Sequence, residues 1–202
     1  LLLATFGIQG TFLAGALLYA LGLASAIRIQ ARNPVAPGPA APVLARMAEG
    51  MAAVRQNRGL IGTLTVTIIF NVFGWPFTSM IPVIGRDQLL LGPEGVGILG
   101  SLEGVGAFAG AVAVAVLARQ RHYRACYVGG VTLYLAGMLW FALTPNLALA
   151  AAALTTVGFA QAGFSIMQAT LVYIAAPVEV RGRVLGILTM CIGTGPIGFV
   201  HI

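Results

Sequence analysis

A single carboxyl group, Glu103, interrupts a long apolar run and is the residue of this sequence best placed to do chemistry. The run covers residues 95–118, and Glu103 lies about 12 Å along it if the run is helical. In a bilayer core roughly 30 Å thick, that depth is close to the midplane. Because lipid penalises the charged form of a carboxyl group, Glu103 could bind and release a proton there. The alternative is a neutral, hydrogen-bonded Glu103 with a structural role between helices.

A second apolar run, residues 60–83, combines polar side chains with helix-breaking residues. Asn71 and Trp75 are four residues apart, so on a helix they share a face and could offer an amide and an indole N–H to a substrate. Gly74 and Pro76 predict a kink or a break near the middle of the run. Broken helices that line a cavity are typical of transporters. An ordinary kinked helix with a packed Trp75 is the alternative.

A third run, residues 147–174, carries Gln161, Ser165 and Gln168 at positions i, i+4 and i+7. This spacing predicts one polar stripe on an otherwise apolar helix, and such a stripe should face the interior of the protein. Contact with a substrate and hydrogen bonding between helices both fit the stripe. In residues 95–118, Gly106 and Gly110 form a small-xxx-small pair, which is typical of helix packing.

Catalysis and metal binding find no support in the sequence. His122 and His201 have no cysteine or carboxylate at metal-ligand spacing. No Walker loop is present, so the sequence gives no support for an ATP-driven pump. We therefore predict no enzymatic activity, no catalytic residue, no metal and no cofactor, with a proton gradient as the energy source.

The composition of the chain indicates what must position these residues. Of 202 residues, 59% are hydrophobic and 8% are charged, whereas soluble domains carry about 25% charged residues. Soluble enzymes, disordered chains and disulfide scaffolds are therefore disfavoured. We predict an all-α fold, a polytopic membrane helix bundle whose six spans each approach the ~20 residues that a bilayer requires. The predicted spans are residues 8–28, 60–83, 95–118, 125–144, 147–174 and 184–202.

The basic residues predict the orientation of the spans. All eleven are arginine, and ten of them lie on alternate loops. Arginine-rich loops stay in the cytoplasm, so we predict that residues 28–58, 119–124 and 177–183 are cytoplasmic and that the chain is a multi-pass protein of the cell (plasma) membrane. Nucleic acid is not an expected partner, because no aromatic residues are interleaved with the arginines for base stacking.

The long loop and the first residues indicate how the chain is organised. The proline-rich residues 33–39 predict an extended linker, and residues 42–56 predict an amphipathic helix at the membrane interface. A partner-binding helix is the alternative for residues 42–56. Residues 1–6 open inside an apolar run, which we interpret as the end of an earlier helix that turns at residues 7–10. We therefore interpret the chain as a fragment of a longer protein.

The order of these elements resembles the middle of a major facilitator superfamily transporter, in which two six-helix halves are joined by a cytoplasmic linker. Residues 177–184 are similar to the short connection that enters helix 11 of this superfamily, and Gly195-Pro196 with Gly198 resembles its glycine-proline motif. Residues 117–124 lie where the second half carries its signature loop, but Arg119 replaces the expected Asp and His122 the Gly. The residues around Asn71 and the 177–184 connection most resemble the enterobactin-exporter branch of efflux proteins.

The resemblance implies a domain organisation for the whole chain. Residues 1–28 would hold the end of the N-terminal half, namely a stub of helix 5 and helix 6. Residues 29–58 would form the cytoplasmic linker with its amphipathic helix. Residues 59–202 would form the C-terminal half, with helices 7 to 11 present and helix 12 missing.

The resemblance also implies a function. The chain would belong to a proton-coupled exporter of a drug, siderophore or other small metabolite, which acts by alternating access in the lipid bilayer and is a monomer at full length. Glu103 would exchange the proton. The implied substrate cavity consists of Asn71, Trp75, Gln161, Ser165 and Gln168, and the implied cytoplasmic gating loops contain Arg119, Arg121, Arg124, Arg181 and Arg183. A nutrient or sugar importer of the same fold, and a membrane assembly protein without transport, are the alternatives.

Overall fold

A computed structural model of the chain describes residues 2–28 and 42–201. The chain divides into two compact units, Leu1–Ala41 and Pro42–Ile202. Within the described residues every regular element is helical. The predicted all-α membrane helix bundle is therefore confirmed.

The first unit contains one long helix, α1, which runs from Leu2 to Ile27. The turn predicted at residues 7–10 is wrong, because α1 continues through Gly7 and Gly10 without interruption. A glycine inside a helix costs only about 1 kcal/mol relative to alanine. A turn at membrane depth would instead leave several backbone groups without hydrogen bonds, and each of these costs more than that.

The second unit begins with α2 (Val43–Gln56), the predicted amphipathic helix, followed by α3 (Arg58–Ile69). A π-helical turn (Phe70–Gly74) and a 3₁₀ turn (Trp75–Ser79) connect α3 to α4 (Met80–Asp87). The remaining helices are α5 (Pro93–Leu117), α6 (Tyr123–Leu143), α7 (Leu147–Ala175), α8 (Arg181–Ile192) and α9 (Gly195–Gly198), with 3₁₀ turns at Gln120–His122 and Phe199–His201.

Four segments of the described chain are long and apolar enough to cross a membrane: Arg58–Asp87, Pro93–Leu117, Gln120–Leu143 and Leu147–Ala175. They correspond to four of the six predicted spans. Of the other two, the predicted span 8–28 overlaps a shorter apolar helix, Phe12–Ile27. The predicted span 184–202 is not one continuous helix, because α8 ends at Ile192 and α9 begins only at Gly195.

Two asparagines fix where spans begin. The Asn57 side chain accepts hydrogen bonds from the backbone N–H groups of Gly59 (2.9 Å) and Leu60 (3.3 Å), and its own amide donates to the Ala175 carbonyl (3.3 Å). It therefore caps α3 and ties the start of that helix to the end of α7. Asn146 caps α7 in the same way, accepting from Ala148 and Leu149.

Helix α7 lies at the centre of the second unit, with α5 and α6 packed along it. Glycines bring the backbones together. Gly158 of α7 lies against the backbone of Glu103 and Ala107 in α5. Gly106 and Gly110 of α5 lie against the backbone of Thr155 and Phe159 in α7. A Cβ atom at any of these three glycines would overlap main-chain atoms of the other helix. The packing role predicted for Gly106 and Gly110 is confirmed, and close backbone approach of this kind is a main source of helix association in lipid.

The amphipathic helix α2 packs on the start of α8. Gly50 and Val54 are its buried residues. A Cβ at Gly50 would come within 3.1 Å of Arg183 and Ile187 side-chain atoms, and Glu49 forms an ion pair with Arg183. One face of α2 therefore belongs to the protein, whereas Val43 and Leu44 are exposed and remain available to a membrane interface.

The close packing of α7 gives a testable prediction. We expect Gly158→Ala to lower the unfolding free energy by about 1–3 kcal/mol, because the new methyl group overlaps backbone atoms that cannot move away cheaply. Gly129→Ala on α6 is the matched control, since nothing lies within 4 Å of a Cβ there. Thermal unfolding in detergent measures both. Equal melting temperatures for the two variants would contradict the packing described here.

Candidate functional site

The centre of the span Arg58–Asp87 departs from α-helical geometry. The backbone N–H of Trp75 donates a hydrogen bond to the Phe70 carbonyl across the π-helical turn. The 3₁₀ turn that follows contains Pro76, which has no backbone N–H to donate. Gly74 and Pro76, the residues for which the sequence predicts a kink or break, lie in these two turns. We call this segment, residues 70–79, the break.

Hydroxyl groups supply hydrogen bonds to the carbonyls of the break. Thr78 donates to the Trp75 carbonyl (2.8 Å) and Ser79 donates to the Pro76 carbonyl (2.6 Å). From another helix, the Tyr134 hydroxyl donates to the Gly74 carbonyl at 3.4 Å. Such bonds allow a span to leave α-helical geometry in an environment that offers no water.

Asn71 and Trp75, the predicted substrate donors of the break, have different surroundings. Asn71 is 7% exposed, and its amide donates to the Thr67 carbonyl one turn earlier (2.8 Å). Trp75 is 39% exposed, and its ring meets Phe199 edge-on with centroids 5.6 Å apart. Gly195 of α9 lies against the same indole. In this conformation Asn71 faces the protein interior and Trp75 is partly open.

A buried polar network joins α3, α6 and α7. The Thr67 hydroxyl donates to the Gln168 side-chain carbonyl (3.1 Å) and lies 3.3 Å from the Tyr127 hydroxyl, which donates to the Thr63 carbonyl (2.8 Å). Gln168 therefore makes a hydrogen bond between helices. The sequence pattern did not predict that Thr67 and Tyr127 belong to this network. Thr67 lies 60 residues from Tyr127 and 101 residues from Gln168 along the chain, so no local spacing connects them.

The other two members of the predicted stripe are less enclosed. Gln161 is half-buried and Ser165 is exposed, with its hydroxyl donating to the Ala162 carbonyl of its own helix (3.4 Å). The stripe therefore passes from the interior of the bundle, at Gln168, to an open surface, at Ser165. Its open part lies where a substrate or a further helix could reach it.

Glu103 is half-buried on α5, and none of the described basic side chains forms an ion pair with it. Its backbone packs against Gly158 of α7. On α6, Tyr134, whose hydroxyl donates to the break, is fully buried. Tyr134 was not among the predicted site residues, because one aromatic residue in an apolar run has the pattern of an ordinary core residue.

The five arginines of the predicted gating loops fall into two groups. Arg119, Arg121 and Arg124 are exposed around the 3₁₀ turn between α5 and α6, where Arg121 donates to the His122 ring (3.0 Å). Arg181 lies over the Tyr173 ring at 4.2 Å and donates to the Ala176 carbonyl, and Arg183 pairs with Glu49. The second group thus joins α8 to the end of α7 and to α2.

Four cavities among residues 42–201 are lined by residues other than the predicted substrate residues. One cavity, of about 480 Å³, lies between α5, α6 and α7 and is lined by apolar and small residues with His122 and Cys126. A second, of about 310 Å³, lies beside Arg58 and Arg124. Among the described residues, no three metal-ligating side chains come together.

The comparison with known families decides what kind of protein carries these features. A family model described as Major Facilitator Superfamily matches residues 1–199, almost the whole chain. The chain belongs to the major facilitator superfamily. No curated protein and no solved structure matches it.

Membership of the major facilitator superfamily makes this a multi-pass membrane protein and a secondary transporter of the major facilitator type. The helix bundle of the second unit is accordingly part of a major facilitator fold. In such transporters, broken helices and polar groups near the midplane form the site around which two halves of the protein rock. In this chain the break interrupts one span, and Glu103 lies within another.

The buried network predicts a measurable coupling between helices. Thr67→Val removes the donor to Gln168, and we expect it to lower the unfolding free energy by about 1 kcal/mol, the usual scale of such bonds in membrane proteins. Thr189→Val is the control, because the exposed Thr189 donates within its own helix, to Leu185. A double-mutant cycle with Gln168→Leu measures the coupling. An interaction energy of zero would show that the bond contributes nothing.

Proposed function

We propose that this chain is part of a proton-coupled exporter of a small molecule, with Glu103 as the proton-exchanging residue. One observation carries the proposal. Glu103 is a half-buried carboxyl group in the middle of a span, and it has no basic partner among the described residues. An ionisable group is costly in that position, and its presence therefore suggests a functional site.

Proton exchange at Glu103 would give the transporter two states. A neutral carboxyl tolerates an apolar surrounding, whereas a carboxylate favours a conformation in which water reaches it. The proton gradient then supplies energy because each side of the membrane favours one of the two forms. Substrate binding shifts the same equilibrium if the substrate prefers one conformation, so no covalent step is required.

The proposed substrate wall consists of the open part of the polar stripe and the partly open indole of Trp75. Ser165 and Gln161 would contact the substrate directly, and Trp75 would offer a flat apolar surface. Asn71 and Gln168, which are buried with their amides in hydrogen bonds, would contribute only after a rearrangement of the break. The substrate class proposed is a drug, a siderophore or another small metabolite.

Export rests on the resemblance of residues around Asn71 and of residues 177–184 to the enterobactin-exporter branch. An importer of the same fold is the second candidate, because the described contacts favour neither direction. We further propose that the chain covers helices 6 to 11 and that Arg119, Arg121, Arg124, Arg181 and Arg183 lie on the cytoplasmic side of the plasma membrane. Their concentration on one set of loops supports that orientation.

Proton-dependent efflux from cells tests the proposal. The complete protein that contains this chain is expressed, and efflux of a panel of dyes and siderophores is followed with and without a proton gradient. We expect Glu103→Gln to abolish gradient-driven efflux at an unchanged protein level, because glutamine cannot release a proton. Glu94→Gln is the matched control, since Glu94 is an exposed carboxylate in the first turn of the same helix. Full gradient-driven efflux by Glu103→Gln would contradict the proposal.

A further inference from the structure

The cavity of about 310 Å³ beside Arg58 and Arg124 lies where three helices of the second unit end together. Helix α3 begins at Arg58, α6 begins at Tyr123, and α7 ends at Ala175, which also lines the cavity. Each of these helices belongs to a segment long and apolar enough to span a membrane. Because the ends of such spans lie at the depth of the lipid head groups, the arginine end of the cavity lies there too.

Arg58 and Arg124 give this end of the cavity a positive charge. A Cβ atom at Gly59 would lie 3.9 Å from a guanidinium nitrogen of Arg124, so the Arg124 side chain reaches from α6 to the start of α3. Both arginines are exposed. None of the described carboxylates forms an ion pair with either of them. Two positive charges from different helices therefore line one cavity without a described carboxylate to neutralise them.

The cavity becomes apolar further from the span ends. It follows α3 from Arg58 to Val66, a distance of about 12 Å along the helix axis. Val66, Val128 and Leu171 line this deeper part. Gly62 leaves it open, since nothing lies within 4 Å of a Cβ atom at that position. A charged end and an apolar depth thus occur in one cavity.

The polar groups in the cavity wall already have partners within the protein. The Tyr127 hydroxyl donates to the Thr63 carbonyl (2.8 Å), and the Thr63 hydroxyl donates to the Gly59 carbonyl (2.9 Å). These two hydroxyls therefore do not require a hydrogen bond from a ligand. The cavity offers a ligand two guanidinium groups and a hydrocarbon surface, which together are complementary to an anionic amphiphile.

A second basic cavity in the same unit differs in its charge. Arg46 of α2 and Arg183 of α8 line a cavity of about 170 Å³. There Arg183 pairs with Glu49, so the protein itself supplies an anion to one of the two arginines. The cavity beside Arg58 and Arg124 has no such described pair, and an anion bound there would not have to displace a carboxylate.

We propose that this cavity binds one anionic phospholipid of the surrounding bilayer, with the phosphate held by Arg58 and Arg124 and part of an acyl chain lying along Gly62 and Val66. Guanidinium groups match the oxygens of a phosphate and can bind two of them at once. Basic pockets between membrane helices are typical sites for anionic lipid head groups. The bound lipid would join α3, α6 and α7 at their ends. The inference goes beyond the proposed function and requires neither proton coupling nor export.

Native mass spectrometry of the complete protein that contains this chain tests the inference by counting bound lipids. The protein is purified in detergent and titrated with phosphatidylglycerol, which is anionic, or with phosphatidylcholine, which is zwitterionic. We expect one phosphatidylglycerol to be retained at concentrations at which phosphatidylcholine is not, because the choline cation offsets the charge of its phosphate. Arg58→Gln and Arg124→Gln should each weaken this binding about tenfold or more, the usual scale of a hydrogen bond to a charged group.

Two further variants separate the charge of the site from its shape. Arg55→Gln is the matched control, because Arg55 is an exposed arginine three residues before Arg58 that does not line the cavity. At physiological salt, which screens exposed charges beyond about 8 Å, it should keep the affinity of the parent. Gly62→Leu keeps both arginines and extends a side chain into the apolar part of the cavity. We expect it to weaken phosphatidylglycerol binding, and its melting temperature checks that the fold is kept.

Three results would overturn the inference. The first is equal retention of the two lipids by the parent, or retention of neither, as expected if another part of the complete protein covers the cavity. The second is an unchanged affinity for phosphatidylglycerol in Arg58→Gln and Arg124→Gln. The third is displacement of the lipid by an equal concentration of inorganic phosphate, which would assign the arginines to a free anion. None of these results depends on efflux, so the proposed function and this inference can fail separately.

Discussion

Lipid offers no hydrogen-bonding partner to a peptide backbone, and the architecture of this chain follows from that constraint. Helices satisfy their own backbone groups, which is why every regular element of the described residues is helical. Where a span leaves the α-helical pattern, other groups must provide the missing bonds. At the break, the hydroxyls of Thr78, Ser79 and Tyr134 do so. The irregular segment is thereby tied to a neighbouring helix through Tyr134.

The same constraint explains the glycine-rich packing around α7. Without water to drive apolar surfaces together, helices in lipid associate through close contact and hydrogen bonds. Gly106, Gly110 and Gly158 permit the first, and the Thr67–Gln168 bond supplies the second. These contacts hold α5 and α3 against α7. The break departs from the regular α-helical pattern of these elements.

Much of the fold could be predicted from the sequence because it depends on composition and local pattern. Hydropathy and the length of the apolar runs predicted four spans that the structure confirms. The pairing of Gly106 with Gly110 predicted a packing face correctly. The turn at residues 7–10 was wrong, because glycine was interpreted as a breaker in surroundings where a continuous helix satisfies more backbone groups.

The candidate site was harder to predict because its contacts are distant along the chain. Thr67 meets residues 60 and 101 positions away, and Tyr134 meets the break 60 positions away. No local spacing distinguishes such residues from apolar core. The stripe of Gln161, Ser165 and Gln168 was visible as a pattern, but helical periodicity could not show that Gln168 is buried while Ser165 is open.

The central claim is that Glu103 holds and releases a proton within the membrane. Infrared difference spectroscopy of the complete protein in lipid, recorded between mildly acidic and mildly basic buffer, observes a protonated carboxyl group directly. A carbonyl stretching band of a protonated carboxyl should disappear as the pH rises in the parent, and it should be absent from Glu103→Gln. Identical difference spectra for the two proteins would contradict the claim.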